Sequence, residues 1–137
     1  MGTLLVVMRE AIVAVIRRHG RVLVIRRGPA STFAGHWSPP TGRLEPGETQ
    51  EQALVREMRE ELGIEVLPLA KVWESLTDNG VFRLHWWTAA EEGLELKLDP
   101  AEVSEARWVS APEFLALQPT FAGGREFFRK VLPRLGG

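Results

Sequence analysis

The sequence predicts an α+β domain, a mixed β-sheet covered by helices. Three observations lead there. Short runs rich in Val and Ile are separated by compact turn signals, the pattern of hairpins. One amphipathic helix with matched start and stop signals sits in the middle of the chain. Only one strand–helix–strand unit is clear, so a regular alternating α/β architecture is not expected.

The elements follow in order. Ala11 to Arg17 and Arg21 to Arg27 read as strands joined at His19-Gly20, which makes a hairpin. Gly28 to Gly35 carries Gly, Pro and Ser and reads as a loop. Trp37-Ser38-Pro39-Pro40-Thr41-Gly42 has two prolines and a glycine, so no regular helix forms there. Glu45-Pro46-Gly47-Glu48 is a turn. Thr49 then caps a helix, with Gln52 completing a capping box. That helix runs to about Leu62 and stops at Gly63. Leu54, Val55, Met58 and Leu62 form its apolar stripe.

Ile64 to Ser75 and Val81 to Ala89 read as two strands around the Asn79-Gly80 turn. Ala90 to Val103 is polar, with a short strand expected at Leu94 to Leu98. Ala106 to Val109 is a final strand. Ser110 and Glu113 form a second capping box, opening a helix from Ala111 to about Leu117. Phe121 to Leu132 reads as a last helix, closed by Pro133 and Gly136. No repeat or linker interrupts the chain, so residues 1–137 are expected to form one domain.

Composition narrows the chemistry. Hydrophobic residues make up 45% and charged residues 26% of 137, the balance of an ordinary globular domain. There is no cysteine, which excludes disulfides and thiolate metal sites. Any metal is left to carboxylates, carbonyls, water or histidine, ligands suited to hard cations such as magnesium. Net charge is -1, without the broad basic footprint of a nucleic-acid binder. No apolar run reaches the length of a membrane span. The apolar start lacks the basic leader and cleavage site of a signal peptide, so a cytoplasmic address is expected.

The chemistry concentrates in the central helix. Glu57, Glu60 and Glu61 stand at i, i+3 and i+4, which places three carboxylates on one face. The neighbouring apolar stripe docks on the sheet, so this acidic face looks sideways into a groove. Crowded carboxylates repel. A divalent cation removes the repulsion, and a cation of that kind bridges phosphate oxygens. Glu48 and Arg56 are placed to lock the preceding loop onto the helix. Gly42 permits close backbone approach and offers a carbonyl. Taken alone, an REMREE helix is by default a solvated charged face.

The spacing changes that. Gly42 to Ile64 fills every defined position of the Nudix box, Gly-x5-Glu-x7-Arg-Glu-U-x-Glu-Glu-x-Gly-U with U aliphatic: Gly42, Glu48, Arg56, Glu57, Met58, Glu60, Glu61, Gly63 and Ile64. The chain therefore resembles the Nudix hydrolases. The resemblance implies a mixed sheet between helices and a pyrophosphohydrolase that uses Mg2+, with Mn2+ as an alternative. It implies Glu57, Glu60 and Glu61 as metal ligands, joined by the Gly42 carbonyl or its neighbour, with Arg56 and Glu48 as the orienting pair. For the general base it offers Glu57 or a distal-loop glutamate. Glu102 is the distal candidate and Glu105 the fallback. The family commonly has glycine where Thr41 stands, so backbone geometry beside the metal is expected to differ slightly.

The resemblance leaves the substrate open. The chain has no tyrosine, which family members acting on dinucleoside polyphosphates often carry after the box. ADP-ribose hydrolases often have a proline about fifteen residues beyond the box, where Asn79 and Gly80 fall. The upstream motif of the coenzyme A type is not recognisable. A nucleoside triphosphate or similar small nucleotide remains. The alternatives are ADP-ribose or a nucleotide sugar, a non-catalytic nucleotide sensor, and an enzyme of RNA 5′ ends, which the net charge disfavours. Arg27 and Arg43, with Arg26, are candidates for the phosphates, against an ordinary surface role. Trp86 and Trp87 face opposite sides of one strand, so one belongs to the core and the other to base stacking or a homodimer interface. Phe33, Trp37 and Trp73 are weighed in the same way, with core or interface packing favoured. His36 and His85 are expected to be structural. The apolar N-terminus is a candidate edge strand for a homodimer.

Overall fold

The structure, a computed structural model, describes residues 8–93 and 95–136. It contains strands β1 (Arg9–Arg18), β2 (Arg21–Arg27), β3 (Trp37–Ser38), β4 (Thr41–Arg43), β5 (Val66–Leu76), β6 (Phe82–Glu91) and β7 (Val103–Val109). Helix α1 (Gln50–Leu62) lies between β4 and β5, and α2 (Ala111–Leu115) and α3 (Ala122–Glu126) follow β7. The α+β expectation holds, and the sheet is mixed.

His19 and Gly20 both take positive φ, 50° and 76°, and turn β1 into β2. The hairpin is paired only at its closed end, Arg17 with Val22 and Arg18 with Arg21. Beyond that the two strands part. From Arg9 to Ile16, β1 runs parallel to β6, from Arg9–Phe82 to Ile16–Ala89, and at Ala11 to Val13 it is antiparallel to β4 on its other side. Strand β2 pairs antiparallel with β7 and β3. Residues 37–43 bridge the opening between β1 and β2: β3 joins β2, β4 joins β1, and the Pro40 carbonyl accepts from Ala14 N–H at 2.9 Å. Pro39 and Pro40 have no N–H to pair, which suits a crossing between two ladders.

Both faces of the sheet are covered. On one, Leu54, Met58 and Leu62 of α1 pack against Ile12, Ala14 and Ile16 of β1. The three helix side chains are fully buried, worth about 2 kcal/mol each. On the other, Val13, Val15 and Trp86 meet Phe114, Phe127 and Phe128. This explains the unbroken buried run of β1, whose six central residues are all inside.

The expected caps of α1 are present. Thr49 accepts from Gln52 N–H, the Gln52 side chain returns to Thr49 N–H, and Gly63 closes the helix at φ 64°. The Ser110–Glu113 box opens α2 in the same way, although α2 stops at Leu115. Two expectations need correction. Residues 95–98 form no strand; Lys97 and Asp99 instead donate to the Leu62 and Glu61 carbonyls, so this segment serves the end of α1 (Leu94 lies outside the described residues). The last helix is not continuous: α3 widens into a π turn over Phe127–Val131 and tightens into a 3-10 turn over Leu132–Leu135. Pro133 in that final turn has no N–H to continue an α ladder. The N-terminal edge strand falls on residues 1–7, outside the described residues.

Candidate active site

A cleft of about 1280 Å3 opens beside the box helix, and Glu57, Glu60, Glu61, Arg56, Gly42 and Glu102 line it together. The fold brings them there by close backbone packing. Gly42 on β4 lies against Glu57, so closely that a Cβ at 42 would overlap its side chain. The Asp99 N–H donates to the Glu61 carbonyl, and the N–H groups of Glu102 and Val103 donate to the Asp99 carbonyl. The loop that carries Glu102 is therefore fastened to the last turn of α1.

Arg56 is the hub. Its Nε and Nη2 grip the two oxygens of Glu48 at 2.7 and 2.9 Å. Its Nη2 also reaches the Arg43 carbonyl at 2.9 Å, and its Nη1 donates to Glu57 at 2.9 Å and Glu60 at 3.2 Å. The guanidinium holds the Glu48 carboxyl at about 2, and Glu48 in turn raises Arg56. Glu48 also accepts from the Glu45 N–H at 3.0 Å, which closes the turn before the helix. One side chain thus ties β4, that turn and the helix into a unit.

Glu57 and Glu61 form a crowded pair. Burial raises both. Burial and the facing Glu57 carboxylate push Glu61 to about 8, where it donates a hydrogen bond to Glu57. Glu60 is more exposed and turns to Arg56. The carboxylates do share a face and all three line the cleft, but their partners differ: Arg56 engages Glu57 and Glu60, and Glu61 meets Glu57.

Residues 7–131 match the NUDIX domain family. The CTP pyrophosphohydrolase of Escherichia coli is 35% identical over 117 residues, 70% of this chain and 87% of that protein. The RNA pyrophosphohydrolase of Erythrobacter litoralis is 30% identical over 88% of this chain and 85% of its own. The crystal structure of a MutT protein from Methanosarcina mazei superposes with a TM-score of 0.81 at 25% identity, covering 98% and 100% of the two chains.

The chain belongs to the Nudix hydrolase family.

Nudix hydrolases cleave phosphoanhydride bonds, so the chain is a pyrophosphohydrolase by class, and the family generally works with a divalent metal such as Mg2+. The donor set fits such an ion. A buried and a half-buried carboxylate crowded against each other need positive charge to ionise together. Among the described residues no three acidic or histidine side chains come together as a ready-made ligand group, so Glu57, Glu60 and Glu61 are not gathered around one point. Magnesium keeps several waters and shares its coordination with substrate phosphates, so fewer protein oxygens suffice.

The other expected residues of this Nudix chain divide. Arg27 lies in the cleft, lowered by burial while Glu61 and Glu102 oppose that, and its Nη1 donates to Thr41 Oγ1 at 3.2 Å. The residue that departs from the common pattern is therefore what holds Arg27. Arg43 lines the cleft with its guanidinium 5.2 Å over the Phe82 ring. Trp86 touches the cleft but is a core residue: it stacks on Phe127 at 4.5 Å and donates to Ser75. Trp87 faces the α1 side and donates to Gln50 at 2.8 Å, away from the cleft. Trp73 packs on Trp86, and Trp37 is buried in the same core. Glu105 pairs with Arg107, and Arg26 is exposed outside the cleft. His85 is buried between Glu10 and Glu74. Sequence reasoning missed Asp99 as the anchor of the Glu102 loop, because its work is done by backbone groups that carry no motif. It also missed Ser38 as a cleft residue. Phe33 and His36 were weighed as packing, although both line the cleft beside Phe121.

Proposed function

We propose that the chain, acting as a single catalytic domain, is a magnesium-dependent hydrolase of nucleoside triphosphates or similar small nucleotides. The observation that carries this is the Glu57–Glu61 pair, a buried and a half-buried carboxylate held against each other at the wall of a roomy cleft. The similarity to the CTP pyrophosphohydrolase supports the nucleotide. The cleft also suits it, being lined by Arg27 and Arg43 for phosphates and by apolar side chains for the remainder.

The residues divide the work as follows. Glu57 and Glu61, with Glu60 and the Gly42 backbone nearby, hold the cation, which when bound neutralises charge on the phosphate oxygens. Glu102 is the general base. Among the described residues its side chain has no hydrogen-bond partner, whereas Glu57 is engaged by Arg56 and Glu61. Glu102 orients a water and takes its proton. The water oxygen bonds to phosphorus, the bridging P–O bond breaks, and the leaving phosphate departs as an anion. Arg27 sits beside Glu61 and Glu102 to neutralise the phosphate chain.

Phosphate and pyrophosphate release from nucleoside triphosphates, nucleotide sugars and dinucleoside polyphosphates, with and without magnesium, tests the reading. Metal-dependent turnover of triphosphates is expected. Substituting Glu61→Gln removes it, and Glu102→Gln lowers kcat. Unchanged activity in both variants overturns the assignment. The likeness to an RNA pyrophosphohydrolase makes a triphosphorylated RNA the one further substrate in the panel.

A further inference from the structure

Strand β5 ends the sheet. Strand β6 pairs one side of it, and among the described residues no strand pairs the other. At 11 residues it is about twice the usual length of a strand. Such an edge presents a row of N–H and C=O groups, a template for another chain. Exposed apolar side chains gather here as well: Leu67, Leu69 and Leu76 are 53%, 57% and 51% exposed. We propose that β5 pairs with β5 of a second copy of this chain, antiparallel about a two-fold axis between Val72 and Trp73, so that one sheet runs through both subunits.

The strand is complementary to itself. From Leu69 to Leu76 it reads Leu-Ala-Lys-Val-Trp-Glu-Ser-Leu. Laid against a copy about its midpoint, Leu69 meets Leu76, Ala70 meets Ser75, Lys71 meets Glu74 and Val72 meets Trp73. Each contact is apolar with apolar, small with small, or positive with negative. An axis through Lys71 or through Glu74 would set like charges opposite each other, which is destabilising. The ends agree too. In the same register Pro68, which has no N–H to donate, falls opposite Thr77, where the strand gives way to the turn.

Residues directly opposite in an antiparallel pair lie on one face. In a regular strand, residues three or five apart do not share a face. The bulges of β5 remove that obstacle. Its register against β6 shifts between Lys71 and Trp73, which leaves Val72 as an extra residue. Lys71 then pairs with Trp87 and Glu74 with His85, neighbours on one face of β6, so Lys71 and Glu74 share that face. They meet there, Nζ to Oε1 at 2.8 Å. Ala70 pairs with Thr88 and Ser75 with Leu84, so those two share the opposite face. Val72 and Trp73 both pack against the cluster of Trp86 and Phe127. The break in alternation is thus what makes the strand self-complementary. Because the axis lies between Val72 and Trp73, the bulges of the two copies meet each other. Each Lys71 gains a second carboxylate, Glu74 of the partner subunit.

An interface that is one ladder from Leu69 to Leu76 is small, so the dimer forms reversibly, with a Kd in the micromolar range. Sedimentation velocity of the full chain from about 1 to about 500 µM measures it. Lys71→Glu and Glu74→Lys each set like charges at both charge pairs, and each raises Kd about tenfold or more. Mixed in equal amounts, the two variants regain opposite charges at both pairs and dimerise as the wild type does. A fold damaged by either substitution would not be mended by mixing. Leu69→Ser weakens the dimer. Leu67→Ser, on an equally exposed residue beyond Pro68, leaves it as it is. Hydrogen exchange of residues 69–76 slows as concentration rises. A wild type that stays monomeric throughout, a dimer indifferent to both charge reversals, or a mixture no tighter than its components overturns the proposal. None of these readouts uses turnover, so they decide the interface separately from the catalytic reading.

Discussion

Gly28 and Glu102 are joined backbone to backbone: the Gly28 N–H donates to the Glu102 carbonyl at 2.8 Å, and a Cβ on Gly28 would lie 2.5 Å from the Ala101 carbonyl oxygen and 2.8 Å from the Glu102 carbonyl carbon. The loop bearing the proposed base is set against β2 at a distance only glycine allows. Gly28→Ala pushes that loop outward. Overpacking of this kind costs about 1–3 kcal/mol, and a displaced base costs about tenfold to a hundredfold in kcat. Thermal unfolding and steady-state kinetics check the two effects together. Full kcat in a destabilised variant would show that the loop position does not matter to the reaction.

Arg56 serves Glu48, Glu57, Glu60 and the Arg43 carbonyl at once, and only a guanidinium has the donors to do so. Arg56→Lys retains charge and loses the two-pronged grip. A loss of about 2–3 kcal/mol is expected, as for a hydrogen bond between charged groups. Urea denaturation at pH 7 measures it, and a value indistinguishable from the wild type would refute the hub.

Glu48 titrates far below its ordinary value because Arg56 favours its charged form. Its contribution to stability is therefore complete above the ordinary carboxyl pKa and is lost as pH falls toward 2. Between pH 5 and 2 the wild type should lose stability more steeply than Glu48→Gln. Parallel acid-unfolding curves for the two proteins would count against the pairing.

Glu61 has the opposite sign. Burial and Glu57 hold its proton more tightly in the folded protein than in the unfolded chain. In metal-free protein its contribution is full below the ordinary carboxyl pKa and falls away as pH rises toward 8. Glu61→Gln is therefore expected to raise Tm at pH 8 in EDTA. Magnesium should stabilise the wild type more at pH 8 than at pH 5.5, and the variant little at either. Equal magnesium effects on both proteins would remove Glu61 from the metal site.

What was legible in the sequence is what local chemistry specifies. The His19-Gly20 turn, the Thr49–Gln52 box and the Gly63 stop are each set within a few residues, and the structure has all three. The acidic face was legible because helical spacing is fixed, but the partners of its carboxylates were not. Which carboxylates Arg56 reaches depends on how its other donors are held, including the one on the Arg43 carbonyl of β4. Strands β3 and β4 were hidden behind Pro39-Pro40, which read as a break and turn out to be a crossing between two ladders. Trp86 and Trp87 were placed on opposite faces by alternation alone; which one met the cleft needed Phe127, far along the chain. A short strand was expected at Leu94 to Leu98 within a polar stretch, and the backbone at Lys97 and Asp99 is taken instead by the end of α1.

The parallel ladder between β1 and β6 governs when this enzyme can come into being. Every rung of it, from Arg9–Phe82 to Ile16–Ala89, spans more than half the chain, so its partners meet only after a large loop has closed. On the ribosome β1 emerges early, yet its apolar edge has no mate until β6 has been made. The box helix emerges in between and can wind locally, but it has no complete sheet to rest on. Folding should therefore be slow for a domain of this size, with assembly of the catalytic cleft among its last events. During that interval the first hairpin is the segment most in need of protection from neighbouring chains.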